Sequence, residues 1–204
     1  MEELLRNSPV SSFIFLITIV TSLYAFYNEG VYGKFMLHPY SVSRGKSLYT
    51  FITSGLIHRD WGHLFMNMLS YYFFAFTLEG IIGSWQFGVL YMASLVLSDI
   101  STVIKYKDHY AYHSLGASGA VSAVVFSYIL FDPLTKFIIF PLPIPIPAVI
   151  FGVLYLAYSV YASRQSSSIN HDAHFYGALS GIIITIVFYP QVIGMFFSKL
   201  GLSH

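Results

Sequence analysis

Long apolar runs alternate with short polar breaks along this chain. After a polar tail of about eight residues, apolar stretches occupy 9–28, 63–81, 84–104, 118 to about 130, 146–162 and 172–197. A helix crossing a bilayer needs ~20 apolar residues, so the pattern predicts about six spans joined by short loops. Residues 29–60 break the pattern. They mix Gly30, Gly33, Lys34, Pro39, Arg44 and Lys46 with aromatic residues. That is too polar to span and too apolar to lie free in water. Tyr and Trp favour the membrane interface, so this segment is expected to be a structured interfacial loop. Pro141, Pro143, Pro145 and Pro147 alternate with apolar residues. Such a run cannot hold a helix ladder and reads as an extended lead-in to the fifth span.

Composition sharpens the class. Charged residues make up 9% of the chain, against about 25% in a soluble domain, and the mean hydropathy is +0.67. The expected fold is therefore an all-α membrane protein. It would form one polytopic domain over 1–204, with a core at 9–197 and no soluble appendage. A net charge of +1 gives no basic footprint for nucleic acid. With no cysteine there is no disulfide, no thiol nucleophile and no thiolate metal site. The N-terminus lacks a basic stretch followed by a small-residue cleavage site, so no removable signal peptide is expected.

Polar residues inside apolar spans are costly and become functional candidates. His63 and Asn67, at i and i+4, share one face of the second span. Ser118 opens the fourth, within Gly116-Ala117-Ser118-Gly119-Ala120, and His174 lies at the start of the sixth. Even-numbered spans cross the bilayer in the same direction. Their N-terminal ends therefore share one depth on one side, and these residues can converge there. Gly177 and Gly181 form a G-x-x-x-G that admits a close neighbour. Its best partner is the small stretch Gly116 to Ala120, which would bring His174 beside Ser118.

The chemistry follows from the residue types. A serine hydroxyl needs an adjacent base to become nucleophilic, and neutral His174 can serve. An oxyanion needs donors, and the Ser118 backbone N–H, the Asn67 amide and the His63 ring are suitable. Asp172 would face away from His174, so a dyad is expected rather than a triad. Taken alone, each residue has a plainer role: Ser118 as a helix N-cap, His174 as a buried hydrogen-bonded histidine, Asn67 as glue between helices.

In these residues the chain resembles the rhomboid intramembrane serine proteases. The resemblance rests on His58-x4-His63-x3-Asn67, Glu79-x3-Gly83, Gly116-Ala117-Ser118-Gly119 and Ala173-His174-x2-Gly177-x3-Gly181, in that order. It implies Ser118 as nucleophile, His174 as general base, and His63, Asn67 and the Ser118 N–H around the oxyanion. It implies helix packing through Gly116, Gly119, Gly177 and Gly181, and a structural role for Glu79. The fifth span becomes a lateral substrate gate, and residues 164–170 a cap over the site. The implied substrates are transmembrane segments of other proteins in the lipid bilayer, cut without metal or cofactor. The chain departs from the family at Tyr49-Thr50, where Trp-Arg is common. It departs again at Ser122, where many members carry an aromatic ring that stacks on the catalytic histidine.

Two other readings compete. His58-x4-His63, His109-x3-His113 and His171-x2-His174 resemble the histidine boxes of membrane di-iron oxidases and desaturases. That reading lacks paired His-His and gives no reason for Gly-Ala-Ser-Gly. A rhomboid-like binding protein would share the fold but would tolerate loss of Ser118 or His174. By resemblance both termini are cytoplasmic and the site faces the outer side of a prokaryotic plasma (inner) membrane. The positive charges do not choose an orientation. Arg6, Lys136 and Lys199 lie on one side, and Lys34, Arg44, Lys46, Arg59, Lys105, Lys107 and Arg164 on the other, which argues for the opposite orientation; without the interfacial segment 29–60 the two sides hold three each.

Overall fold

The computed structural model describes residues 6–138, 144–165 and 169–202. Helix α1 (Pro9–Phe26) opens the bundle. Residues 29–60 then fold into short helices: α2 (Glu29–Phe35), α3 (Pro39–Val42), α4 (Thr50–Thr53) and a single 3₁₀ turn at Ser54–Leu56. Local chemistry starts them. The Asn28 side chain caps α2 at the Val31 N–H, and Pro39 opens α3. Next come α5 (Trp61–Ile82), α6 (Ser84–Tyr106) and α7 (Ser118–Phe131). Two antiparallel strands, β1 (Lys136–Ile138) and β2 (Pro145–Pro147), lead into α8 (Ala148–Ala162). Helices α9 (His171–Phe188) and α10 (Val192–Lys199) close the chain.

Four helices, α1, α5, α6 and α9, are long and apolar enough to cross a membrane, and α7 and α8 are shorter apolar helices. The sixth apolar run does not continue to 197 as one helix. It stops at Phe188, because Pro190 has no N–H to donate and disfavours helical geometry at Tyr189. The proline run is extended where it is described, at Pro145–Pro147. Residues 139–143, with Pro141 and Pro143, lie outside the described residues, as do 166–168 of the expected cap.

Helix α7 is the axis of the fold. Every residue from Gly119 to Ser127 is buried, as are Ile129 and Phe131. A helix apolar on all sides belongs in the middle of a bundle. It packs against α5, α6, α8, α9 and α10. At 14 residues it is ~21 Å long, shorter than a ~30 Å hydrocarbon core.

The far end of α5 anchors the first helix. Buried Glu79 accepts from the Val10 N–H (3.1 Å) and the Ser11 N–H (2.6 Å). These are unpaired donors at the positive end of α1, where a carboxylate is stabilising. Tyr71 Oη donates to the Ser11 carbonyl alongside.

Candidate active site

The N-terminal ends of α5, α7 and α9 meet at one end of the bundle and line a cavity of about 690 Å³. His63, Asn67, Ser118, Gly119 and His174 all face it. A second, smaller hollow of about 200 Å³ opens beside it. Asn67, Ser118 and His174 also line that hollow, together with Met66, Ser122 and Tyr155.

Ser118 is the first residue of α7, and Ala117 occupies the cap position. The expected alternative, Ser118 as an N-cap, is therefore not how the hydroxyl is used. Among the described residues it makes no hydrogen bond, to His174 or to any other group. The pair faces one cavity without a hydrogen bond between them, and catalytic hydrogen bonds often tighten only on binding. The backbone N–H groups of the first turn of α7 lack intrahelical partners and sit at its positive end.

Gly116 sets the approach to Ser118. Its φ of +113° lies in the region open to glycine. A Cβ there would stand 2.6 Å from His63 Cε1 and 2.9 Å from Nε2. Gly116, expected among the packing glycines, thus makes room for the His63 ring instead of joining helices. Its N–H donates to the Ser54 carbonyl (2.9 Å). His63 Nδ1 accepts from the Arg59 N–H (3.4 Å), which leaves the proton on Nε2, beside Gly116. Asn67 Nδ2 donates to the His63 carbonyl (3.0 Å). It must leave that bond to reach an oxyanion. Asp60 caps α5 at the His63 N–H (2.8 Å). The Arg59 guanidinium and then that N–H hold the Asp60 carboxyl below the usual carboxylate range.

His58 supports the loop from behind and does not line the cavity. It is fully buried. Ser22 Oγ donates to the Leu56 carbonyl, so His58 Nδ1–H must donate to Ser22 Oγ (3.0 Å). Nε2 is then free to accept from the Ala117 N–H (3.5 Å). Burial first, and His63 second, push the His58 pKa down to about 3. A neutral ring therefore braces the residue just before Ser118.

Helix α9 is pinned at its start. The Asn170 side chain accepts from the Ala173 N–H (3.1 Å) and donates to Thr102 Oγ1 (2.7 Å) and Ser114 Oγ (3.3 Å). Asp172 pairs with Lys105 at the end of α6, and Lys105 also donates to the Ser163 carbonyl. Asp172 thus serves the helix junction, one face away from His174. Gly177 lies on the backbone of Gly119, and Gly181 on that of Ala123. Gly177 thus meets α7 within the stretch expected from sequence, and Gly181 meets it one turn deeper.

Three residues around the site were not singled out from sequence. Asp99 on α6 lines the cavity and accepts from Ser54 Oγ (3.1 Å). As an ionisable residue within an apolar run, it was open to the same rule that picked His174. Asn170 is the N-cap just described, legible from its place before the sixth run. Tyr155, from α8, stacks on His174, and nothing distinguishes it in sequence from the other tyrosines. Among the described residues no three His, Cys, Asp or Glu side chains come together as a metal site. His109 and His113 lie in an exposed loop, where His113 stacks on His38 at 4.5 Å.

Fold and cavity together define a helical integral membrane protein with Ser, His and Asn side chains gathered at one end of its bundle. The chain belongs to the rhomboid family: the Rhomboid domain matches residues 45–191. It is 28% identical over 170 residues to RHOMBOID-like protein 12, mitochondrial, of Arabidopsis thaliana, covering 71% of this chain and 49% of that one. It is 29% identical over 146 residues to "Putative rhomboid protease YdcA" of Bacillus subtilis (strain 168), covering 67% and 65%. To Rhomboid protein 1, mitochondrial, of Saccharomyces cerevisiae it is 30% identical over 138 residues, covering 65% and 39%. The chain thus spans between two fifths and two thirds of the length of these relatives.

Proposed function

We propose that this chain is an intramembrane serine endopeptidase that cuts transmembrane segments of other membrane proteins. The observation that carries the reading is the shared cavity of Ser118, His174, His63 and Asn67, at the N-terminal ends of three helices. Ser118 Oγ attacks the scissile carbonyl carbon while His174 takes its proton. The oxyanion is received by the Ser118 N–H, the His63 Nε2–H and the Asn67 amide. The intermediate collapses, His174 returns the proton to the leaving amine, and an acyl-enzyme remains. Water, activated by the same histidine, releases the second product. The polar lining supports hydrolysis, because Arg59, Asp60 and Asn170 share with Ser118 a cavity that water can enter.

In this reading 1–204 is one domain with six crossings, α7 and α8 being the two short ones. The substrate reaches Ser118 from the side of α8, and no metal or cofactor takes part. The membrane in this reading is a prokaryotic plasma membrane with the site toward its outer face; one of the three relatives is bacterial and two are mitochondrial. The test is labelling with a fluorophosphonate probe. Stoichiometric adduct on Ser118, absent in Ser118→Ala and strongly reduced in His174→Ala, is expected. An unlabelled Ser118 in folded protein would defeat the proposal.

A further inference from the structure

Helix α8 is held to the bundle lightly. The residues it buries are mostly small: Ala148, Gly152, Ser159 and Ala162. Its large side chains Ile150, Val153, Leu154, Tyr158 and Tyr161 are exposed. Tyr155 is different. Its ring lies nearly parallel to the His174 imidazole, with centroids 6.3 Å apart and planes inclined by 16°. That is an offset stack within the range where aromatic pairs attract. One turn along, Tyr158 meets His171 edge-on at 5.5 Å. Two tyrosines spaced i and i+3 on α8 thus face two histidines spaced i and i+3 on α9.

The hydroxyl end of Tyr155 is fixed as well. Tyr155 Oη and Ser122 Oγ are 2.7 Å apart. Ser122 Oγ also donates to the Ser118 carbonyl, at 2.9 Å. Ser122 has one proton, and that bond uses it. Tyr155 must therefore donate to Ser122. The result is a chain of hydrogen bonds from the ring on His174 to the backbone of Ser118. Phe126 and Phe151 hold the ring from its other sides, at 5.5 and 5.6 Å.

We propose that Tyr155 is the positioning residue for His174, fixed by its bond to Ser122, so that the base is aligned with Ser118 only while α8 is docked. This rests on the dyad reading above. The imidazole is otherwise a side chain in a cavity with no hydrogen bond among the described residues. A ring stacked on it removes the rotamers that turn away from Ser118. Because the ring belongs to a helix that buries only small residues, displacing α8 would release the base at the same moment. Ser122, the departure at which the family's own ring is missing, becomes the anchor for a ring supplied from the opposite helix.

The test uses the full-length protein in detergent and the small fluorophosphonate probe, whose labelling of Ser118 depends on the base but not on passage of a long substrate. Labelling rate is measured beside thermal midpoint, and kcat and KM beside both. Tyr155→Leu should slow labelling about tenfold, in line with loss of a stacked pair, and lower kcat with little change in KM. Tyr155→Phe keeps the ring and should lose only about threefold, the share of one neutral hydrogen bond. Ser122→Ala should match it. The double variant Ser122→Ala/Tyr155→Phe should be no worse than either single one, because both remove the same bond. Wild-type rates in Tyr155→Leu, or faster labelling from an opened α8, would overturn the positioning role while leaving the dyad intact. So would additive losses in the double variant. An unlabelled wild type would remove the dyad and this inference with it.

Discussion

Gly177 of α9 rests on the backbone of Gly119 in α7. A Cβ built on Gly177 would stand 2.9 Å from Gly119 Cα and closer still to its carbonyl. Both sides of that contact are backbone, so neither can swing aside. Gly177→Val should therefore separate the helices that carry Ser118 and His174. A shift of ~1 Å at a reacting pair costs about a hundredfold in rate. Gly177→Ala should also be severe, since even one methyl meets the carbonyl. Gly181 stands equally close to Ala123, so Gly181→Ala should lower the thermal midpoint as much as Gly177→Ala does. Full activity in Gly177→Val would mean that α7 and α9 do not meet through this face.

The donors around the oxyanion should reveal themselves in kcat. Asn67 spends its amide on the His63 carbonyl in the free protein, so its gain comes in the transition state. Removing one such donor costs up to ~10²–10³ in rate. Asn67→Ala should lower kcat and leave KM near the wild-type value. A variant with intact kcat and lowered thermal stability would make Asn67 a packing residue.

His58 gives the fold a pH dependence. Its folded pKa is depressed to about 3, chiefly by burial, whereas an unfolded histidine takes up its proton near 6.5. The unfolded chain then binds more protons as pH falls below about 6.5, so stability declines with falling pH. This contribution is fully present above that value and is lost progressively toward about pH 3. Thermal midpoints recorded from pH 7.5 to 4.5 should fall in wild type. They should fall less steeply in His58→Gln, at a lower starting stability. Parallel curves would place the pH dependence elsewhere.

The histidine-box reading makes an opposite prediction for the surface loop. His109 and His113 are exposed, and His113, which lines the cavity, is stacked on His38. His109→Ala and His113→Ala should keep most of the activity, and chelators should not change the rate. Loss of activity in both variants, with stoichiometric iron or zinc in the purified protein, would favour a metal enzyme.

Much of this arrangement could be read from the chain, and the exceptions have physical causes. The placement of His63, Asn67, Ser118 and His174 around one cavity follows from span parity, which needs only a count of apolar runs. The end of α9 was misplaced because apolarity continues through Tyr189-Pro190 and across Val192 to Phe197, although the proline breaks the backbone there. The short helices in 29–60 escaped because their apolar periodicity is weak; Asn28 and Pro39 as start signals were available. Gly116 looked like a packing glycine because sequence does not reveal a positive φ. Tyr155 was beyond reach in principle. Its partner is chosen by how α8 and α9 dock, and a tyrosine in an apolar run carries no mark of that.

The central claim is that Ser118 and His174 together hydrolyse a peptide bond inside the membrane. The most direct measurement is cleavage of a single-span reporter protein reconstituted in liposomes with wild type, Ser118→Ala or His174→Ala, each verified as folded by its thermal midpoint. Cleavage by wild type, with none by either variant, is the predicted result. Cleavage that persists in either variant, or none by folded wild type on any of a panel of single-span reporters, would contradict it.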